Sequence, residues 1–451
     1  MTILHRRILY IIFIMLFFII TPAISFYAAG YSFDFNSGEV QRTGILIIKT
    51  DPKDALVNLG ENQKFNWLYN FFYQGSELRT PQKLRNLLAG KYDITLTKDG
   101  YFQYQRDVEI NSGETVILDN ILLFKNAWPE NLINQNIIKT KLSPDKNKLA
   151  IVSESELTIL NLSDGNMDRM ILDNNFSTQN FDILWAPSNK RLLLTRGNFP
   201  VFNIESKRQE MTIKEYVVGD INEVVWDDFS DSEIYIKQNL GIYFFDLISK
   251  NKKLVLNKKT EKFLVKDSNI YIIEKVNNDN YLNIYRDNKV IKSVSVPVVS
   301  MYEFTNLNNN FIYLHDQRHD ILYIIDPWSI FPIQDAINGV KNFSLINEDK
   351  ILYWNNYEIW QYNKNDKDKI LITRVSENIN KALWHPSQYN IIYNTSNGVN
   401  AIELEDGKYL DSSKILDWAG TSDMVMSQNG EKLYFLSRTD NFRTLYSLDI
   451  K

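Results

Sequence analysis

The 451-residue chain contains no cysteine. That excludes disulfides, thiolate metal sites and a lipid-modified cysteine near the N-terminus, though it does not decide the compartment. Only four histidines occur, so transition-metal sites are scarce. No Gly-x-Ser-x-Gly nucleophile elbow is present. Nor is there a phosphate-cradling Gly-x-x-x-x-Gly-Lys loop. The net charge is −5 without a basic stripe, which argues against nucleic acid as a partner. These absences leave no catalytic residue, metal ligand or cofactor to assign.

What is present is ordinary folded protein, with 23% charged and 44% hydrophobic residues. The length predicts two or more domains. Aromatic content reaches 13%, with 25 Tyr and 25 Phe, which fits a mostly β chain.

The N-terminus carries the clearest local signal. His5-Arg6-Arg7 precedes an uncharged apolar run over residues 8–31. About 20 apolar residues cross a bilayer as a helix. Pro22 falls in the outer half, where a kink is tolerated. Tyr27 and Tyr31 fall where an interfacial aromatic belt would lie. The arginines place residues 1–7 in the cytoplasm and the remainder outside a cell membrane. The run exceeds the apolar core of a cleaved secretory signal, and no clean small-x-small site follows it, so an uncleaved signal anchor is the expectation and a cleaved signal the alternative. A buried helix of a soluble domain would need a polar face, which this run lacks.

After a short connector, residues 44–124 change to short strands separated by turns. Gly44-Ile45-Leu46-Ile47-Ile48-Lys49-Thr50 reads as a strand and Asp51-Pro52-Lys53-Asp54 as a turn. Ala55-Leu56-Val57-Asn58-Leu59 and Gly90-Lys91-Tyr92-Asp93-Ile94-Thr95-Leu96-Thr97 are further strands. Arg106-Asp107-Val108-Glu109-Ile110 alternates as a half-buried strand should, and Thr115-Val116-Ile117-Leu118 begins the last one. Together they predict a small antiparallel sandwich. The pieces Thr50, Pro52, Ala55, Thr80-Pro81, Leu84, Gly90, Tyr92, Lys98, Gly100-Tyr101 and Gly113-Glu114-Thr115 resemble the PEGA domain of bacterial and archaeal surface proteins. Two departures stand out. Pro52-Lys53-Asp54-Ala55 lacks the family's turn glycine, and an aromatic insertion lies between Gly60 and Thr80. The resemblance implies a non-catalytic surface module.

From residue 125 to 451 one pattern recurs eight times. A slot held by Leu142, Trp185, Trp226, Val265, Thr305, Leu345, Trp384 and Met426 recurs at steps of 43, 41, 39, 40, 40, 39 and 42 residues. Five to eight residues after each slot comes an apolar four-residue strand, such as Leu192-Leu193-Leu194-Thr195 or Ile391-Ile392-Tyr393-Asn394, read here as the inner strand. A period near 40 with several short strands per repeat predicts propeller blades. Eight blades are expected, with seven as the alternative. The last repeat lacks room for an outer strand, which the stretch 131–141 could supply. Ser143-Pro144-Asp145, Trp185-Ala186-Pro187-Ser188 and Trp384-His385-Pro386-Ser387 resemble the TolB-type propeller repeat. The fold class is therefore all-β: a transmembrane helix, a PEGA-like sandwich and a β-propeller.

Few residues in the repeats invite chemistry. His315 and His319 have metal-ligand spacing only on a helix, and here they fall between two strands, in a solvated hairpin turn. His385, Trp185, Trp226 and Trp384 read as packing residues at repeated positions. The Asn- and Asp-rich runs 277–280 and 363–369 do not have calcium-loop spacing. The sharpest candidate is the insertion, with Phe65, Trp67, Tyr69, Phe71, Phe72 and Tyr73. It either packs against the propeller or serves a partner or membrane interface. The expected function is that of a non-enzymatic, membrane-anchored extracytoplasmic scaffold or binding protein. Its partner would be an envelope protein or surface glycan. A ligand receptor or enzyme using the propeller's central pocket is the alternative.

Overall fold

The computed structural model describes residues 3–34, 38–60, 77–172, 180–298, 301–305, 310–439 and 442–451. The chain divides into two compact units, Met1–Trp128 with Ile450–Lys451, and Pro129–Asp449.

In the first unit, helix α1 (Ile3–Ala28) is apolar on every side, and its large side chains are exposed. Arg6–Ala28 spans 23 residues with mean hydropathy 2.6 and is not buried. At ~1.5 Å per residue such a helix is about 35 Å long, enough to cross a ~30 Å hydrocarbon core. Gly30 takes φ +81° and closes the helix, its N–H donating to Tyr27 O. The hairpin Tyr31–Asp34 and Glu39–Arg42 follows.

The rest of this unit is a sandwich of two three-stranded sheets. One has the order Gln82–Leu87, Gly44–Asp51, Thr115–Leu122, the other Leu56–Leu59, Gly90–Thr97, Tyr104–Ile110. Alternate residues Leu46 and Ile48 from the first, and Ile94, Leu96, Val108 and Ile110 from the second, fill the core. The sandwich is not wholly antiparallel. Gly44–Asp51 pairs antiparallel with Gln82–Leu87 but parallel with Thr115–Leu122. The intervening second sheet supplies the crossover that parallel neighbours need.

Four of the PEGA-like residues, Thr50, Pro52, Ala55 and Thr80, form one polar chain. Ala55 N–H donates to Thr80 Oγ1 at 3.0 Å, Thr80 pairs with Thr50 Oγ1 at 2.5 Å, and Thr50 Oγ1 donates to Pro52 O at 2.7 Å. Both threonines are buried. Asp54 stands where the family has glycine and takes φ +70°, a left-handed conformation that Asp tolerates better than most residues. Thr80→Val removes the middle link and leaves Ala55 N–H unpaired. A loss of about 1–3 kcal/mol is expected, read as a lower denaturation midpoint of this unit. An unchanged midpoint would show that the chain is dispensable.

Among the described residues, the second unit forms eight four-stranded antiparallel sheets. The first contains Ile137–Leu142, Lys148–Ser153, Glu156–Asn161 and Met167–Ile171. The leading strands of the next seven are Ile183–Trp185, Glu223–Trp226, Phe263–Lys266, Tyr302–Thr305, Asn342–Leu345, Lys381–Trp384 and Thr421–Met426. Neighbouring sheets share apolar cores, for example Leu157 and Ile159 with Leu192 and Phe202, or Ile234 and Phe245 with Val201 and Ile213. The eighth sheet packs on the first through Tyr434, Leu436 and Leu445 against Ile137, Leu149 and Leu160. Gln428 Nε2 of the eighth also donates to Asp145 O of the first at 2.8 Å. This succession of face-packed four-stranded sheets is a β-propeller.

Two details differ from the sequence reading. The leading strands of the first four sheets, and those of the seventh and eighth, meet their neighbours, so the leading strand is the one nearest the axis. The apolar segments such as Arg191–Leu194 are second strands. They are the most apolar because both of their faces are covered by neighbouring sheets. The outer strand of the eighth sheet is Glu130–Ile133, paired with Phe442–Asp449, whereas Ile137–Leu142 is the innermost strand of the first sheet. One short stretch thus serves both ends of the repeat array.

Candidate functional site: the axial mouth of the propeller

The repeat slots end the innermost strands, Val265 standing one residue short, and three residues before each slot the chain is at or near the start of that strand. Those positions hold Lys139, Asp182, Glu223, Lys262, Tyr302, Asn342, Lys381 and Asp423, six of the eight being charged. Four of them, Lys139, Asp182, Glu223 and Lys262, line a cavity of about 1140 Å³ along the first five sheets, with Lys141, Arg196, Lys214, Asp220 and Glu303 also in its wall.

The charges are largely matched across sheet boundaries. Lys139 pairs with Asp182 of the next sheet and also donates to Phe181 O at 2.7 Å. Glu223 accepts from Lys237 at 2.7 Å, and Lys262 of the next sheet lies 3.8 Å from it. Lys381 lies 3.2 Å from Asp423, which also accepts from the Thr140 hydroxyl of the first sheet. These pairs sew the innermost strands together, and none is an unmatched acid beside a base. Among the described residues no group of three or more His, Asp or Glu could hold a metal.

Asp423 tests this belt. Burial pushes its carboxyl up, but Lys381, the Thr140 hydroxyl and Arg443 outweigh burial, and its pKa falls below the usual 3.8. A depressed acid stabilises the fold above its unfolded pKa, and that stability drains away as pH falls through the folded value. Asp423→Asn is therefore expected to lower stability at neutral pH and to flatten the acid limb below about pH 4. Parallel acid limbs in wild type and variant would contradict the pairing.

The histidines are structural in different ways. His315 is not in a solvated turn. It lies in the strand Ile312–Asp316, is buried, and its Nε2 is 2.6 Å from Val340 O. The turn begins after the buried Asp316, whose carboxylate holds the exposed His319 Nδ1 at 2.8 Å. Strand pairing extends two residues beyond the apolar run, which is why the boundary was misplaced. His385 is buried, with Nε2 donating to Gly430 O of the next sheet at 3.1 Å and Nδ1 accepting from Ser387 N–H at 3.1 Å.

Trp185 and Trp226 donate Nε1–H to Lys141 O and Leu184 O of the preceding innermost strand, each at 3.1 Å. Trp384 Nε1 is buried with no hydrogen-bond partner among the described residues. The Ser-Pro-Asp turn also has a stated job. Ser143 Oγ accepts from Lys148 N–H and donates to Asp145, and Ser427 repeats this with Lys432 N–H and Asn429. Phe65, Trp67, Tyr69, Phe71, Phe72 and Tyr73 lie outside the described residues.

Sequence comparison assigns residues 43–122 to the PEGA domain family. No curated protein matches the chain. Solved structures similar to it include the C-terminal WD40 domain of Sif2 at 13% identity and TM-score 0.49, covering 72% of this chain and 98% of that one. A eukaryotic initiation factor structure is similar at 12% identity and TM-score 0.47, covering 72% and 88%. The Cps50 (Swd1) β-propeller domain of Myceliophteria thermophila is similar at 9% identity and TM-score 0.43, covering 71% and 98%. The propeller assignment rests on the order and packing of the sheets.

Proposed function

We propose that the chain is a non-enzymatic scaffold or binding protein, held on a cell membrane by α1 and displaying a PEGA module and an eight-bladed, TolB-like propeller outside the cytoplasm. The partner class is an envelope protein or a surface glycan. The observation that carries this reading is the cross-sheet pairing of the axial charges, in which Asp182, Glu223 and Asp423 each face a lysine of a neighbouring sheet. The bilayer-length helix and the PEGA match support the anchored, surface-facing arrangement. The mouth's size supports a second reading, a ligand receptor, with Arg196 and Glu303 as the polar groups in its wall.

Full-length chain in detergent, immobilised on a support and mixed with solubilised envelopes, tests the first reading. A second bait lacks residues 62–77. Specific retention of one protein or glycan by the intact bait alone supports it and places contact on the aromatic insertion. Equal retention by both moves contact to the propeller or the sandwich. No specific retention, together with a small ligand that shifts the melting of wild type but not of Arg196→Ala, favours the receptor.

A further inference from the structure

The turn joining the third strand of the fifth propeller sheet to its fourth carries an unusual load. In Asp326-Pro327-Trp328-Ser329-Ile330-Phe331-Pro332, Trp328 is 57% exposed, Ile330 91% and Phe331 77%. Single exposed apolar residues need no explanation, but three large ones within four positions of one turn do. The tip is built rather than slack. Asp326 N–H donates to Pro332 O at 2.8 Å, Ser329 N–H to Asp326 O at 3.2 Å, and Trp328 N–H to the Asp326 carboxylate at 3.0 Å. Gln334 caps Phe331 O, and the two prolines have no N–H to satisfy. Part of the turn's backbone is thus satisfied internally, and the rest can reach the hydrated headgroup layer rather than the hydrocarbon core. Two lysines stand on the adjoining hairpin of the sixth sheet. Lys367 Nζ donates to Gln334 O at 2.9 Å, and Lys364 lies over the Phe311 ring at 4.6 Å. A Trp-Ile-Phe wedge beside lysines is the chemistry of a bilayer interface carrying anionic headgroups.

We propose that the tip 327–332 inserts into the lipid headgroup region, as a second membrane contact besides α1. The occupant is a lipid surface because the turn exposes Trp328, Ile330 and Phe331 beside two lysines, and a chain carrying a bilayer-length helix keeps a bilayer at high effective concentration. The proposal rests on α1 holding the chain on a membrane, and the test separates the two.

The absence of native cysteine makes single-site labelling unambiguous. Full-length Ile330→Cys, Ser25→Cys and Val218→Cys are each labelled with bimane. They are reconstituted into vesicles of phosphatidylcholine and phosphatidylglycerol with or without doxyl-labelled lipid. Val218 is 91% exposed and lies in a link between sheets, at the opposite end of the four-stranded sheets from the tip. The label at 330 is expected to lose most of its emission to doxyl lipid, the label at 218 none. Phe331→Asp in the Ile330→Cys background is expected to restore the emission. An unquenched label at 330, or equal quenching at 330 and 218, overturns the proposal, including the case in which a protein covers the tip. Quenching at 330 without quenching at 25 upholds the tip and refutes the anchor. Quenching at 25 alone refutes the tip and leaves the anchor standing.

Discussion

Deleting residues 442–451 is expected to abolish the cooperative unfolding of the propeller. Phe442–Asp449 is the third strand of the eighth sheet, between Lys432–Thr439 and Glu130–Ile133. Without it the stretch before the first sheet has nothing to pair with. Leu445, Tyr446 and Leu448 are buried, and Tyr446 packs on Phe435 at 5.8 Å and Trp418 at 5.4 Å between ring centroids. Three such side chains contribute roughly 5–9 kcal/mol of burial. That is comparable to the whole stability of a typical domain, about 5–15 kcal/mol. The expected result is a chain that binds hydrophobic dye and melts without a sharp transition. Leu445→Asp in the full-length chain should move in the same direction, since it places a charge in the core between the eighth and first sheets. A truncated chain melting at the wild-type midpoint would refute closure by this strand.

Gly430→Ala is expected to cost about 2–5 kcal/mol, from a left-handed penalty of ~1–2 and a lost buried hydrogen bond of ~1–3. Gly430 takes φ +74°, and a Cβ there would stand 2.4 Å from His385 Nε2. The imidazole cannot retreat freely, because Ser387 N–H holds its other nitrogen and the ring is buried. The substitution therefore breaks a side-chain contact by which a seventh-sheet turn holds the eighth-sheet turn, His385 Nε2 to Gly430 O. Combining it with His385→Ala should cost less than the sum of the two single changes, since the clash partner is gone. Additive denaturation midpoints would contradict the contact.

Much of the architecture was legible because each level of the sequence agreed with the next. The forty-residue slot proved to be the end of an innermost strand in nearly every sheet, with Val265 one residue short. The slot's tryptophans revealed their role only with the hydrogen bonds to the preceding strand. Among the PEGA pieces, Thr50, Pro52, Ala55 and Thr80 make one polar chain, and Gly100 at φ +80° and Gly113 at φ +77° make two turns. The strand Gln82–Leu87 was missed for a physical reason. Asn86 takes φ +60° and shifts the register, so Leu84 and Leu87 both point inward although they are three apart, and period-two alternation is lost. The parallel pairing of the first and last sandwich strands was hidden because hairpin signals report only neighbours in sequence. The axial charges did leave a signal, a charged residue three before the slot in six of eight repeats. Reading them as ion pairs required knowing that the slot strand is the innermost one. The apolar strands drew attention to themselves because burial on two faces is what composition detects best.

The most direct measurement of an anchored, outward-facing propeller is impermeant-maleimide labelling of Ser206→Cys. Ser206 lies in an exposed turn of the second sheet, and the chain offers no other thiol. Membranes would be washed at alkaline pH after labelling of intact spheroplasts. Labelling without permeabilisation, with the chain retained in the washed membranes, is the predicted result. Labelling only after permeabilisation, or release of the chain by the wash, would contradict it.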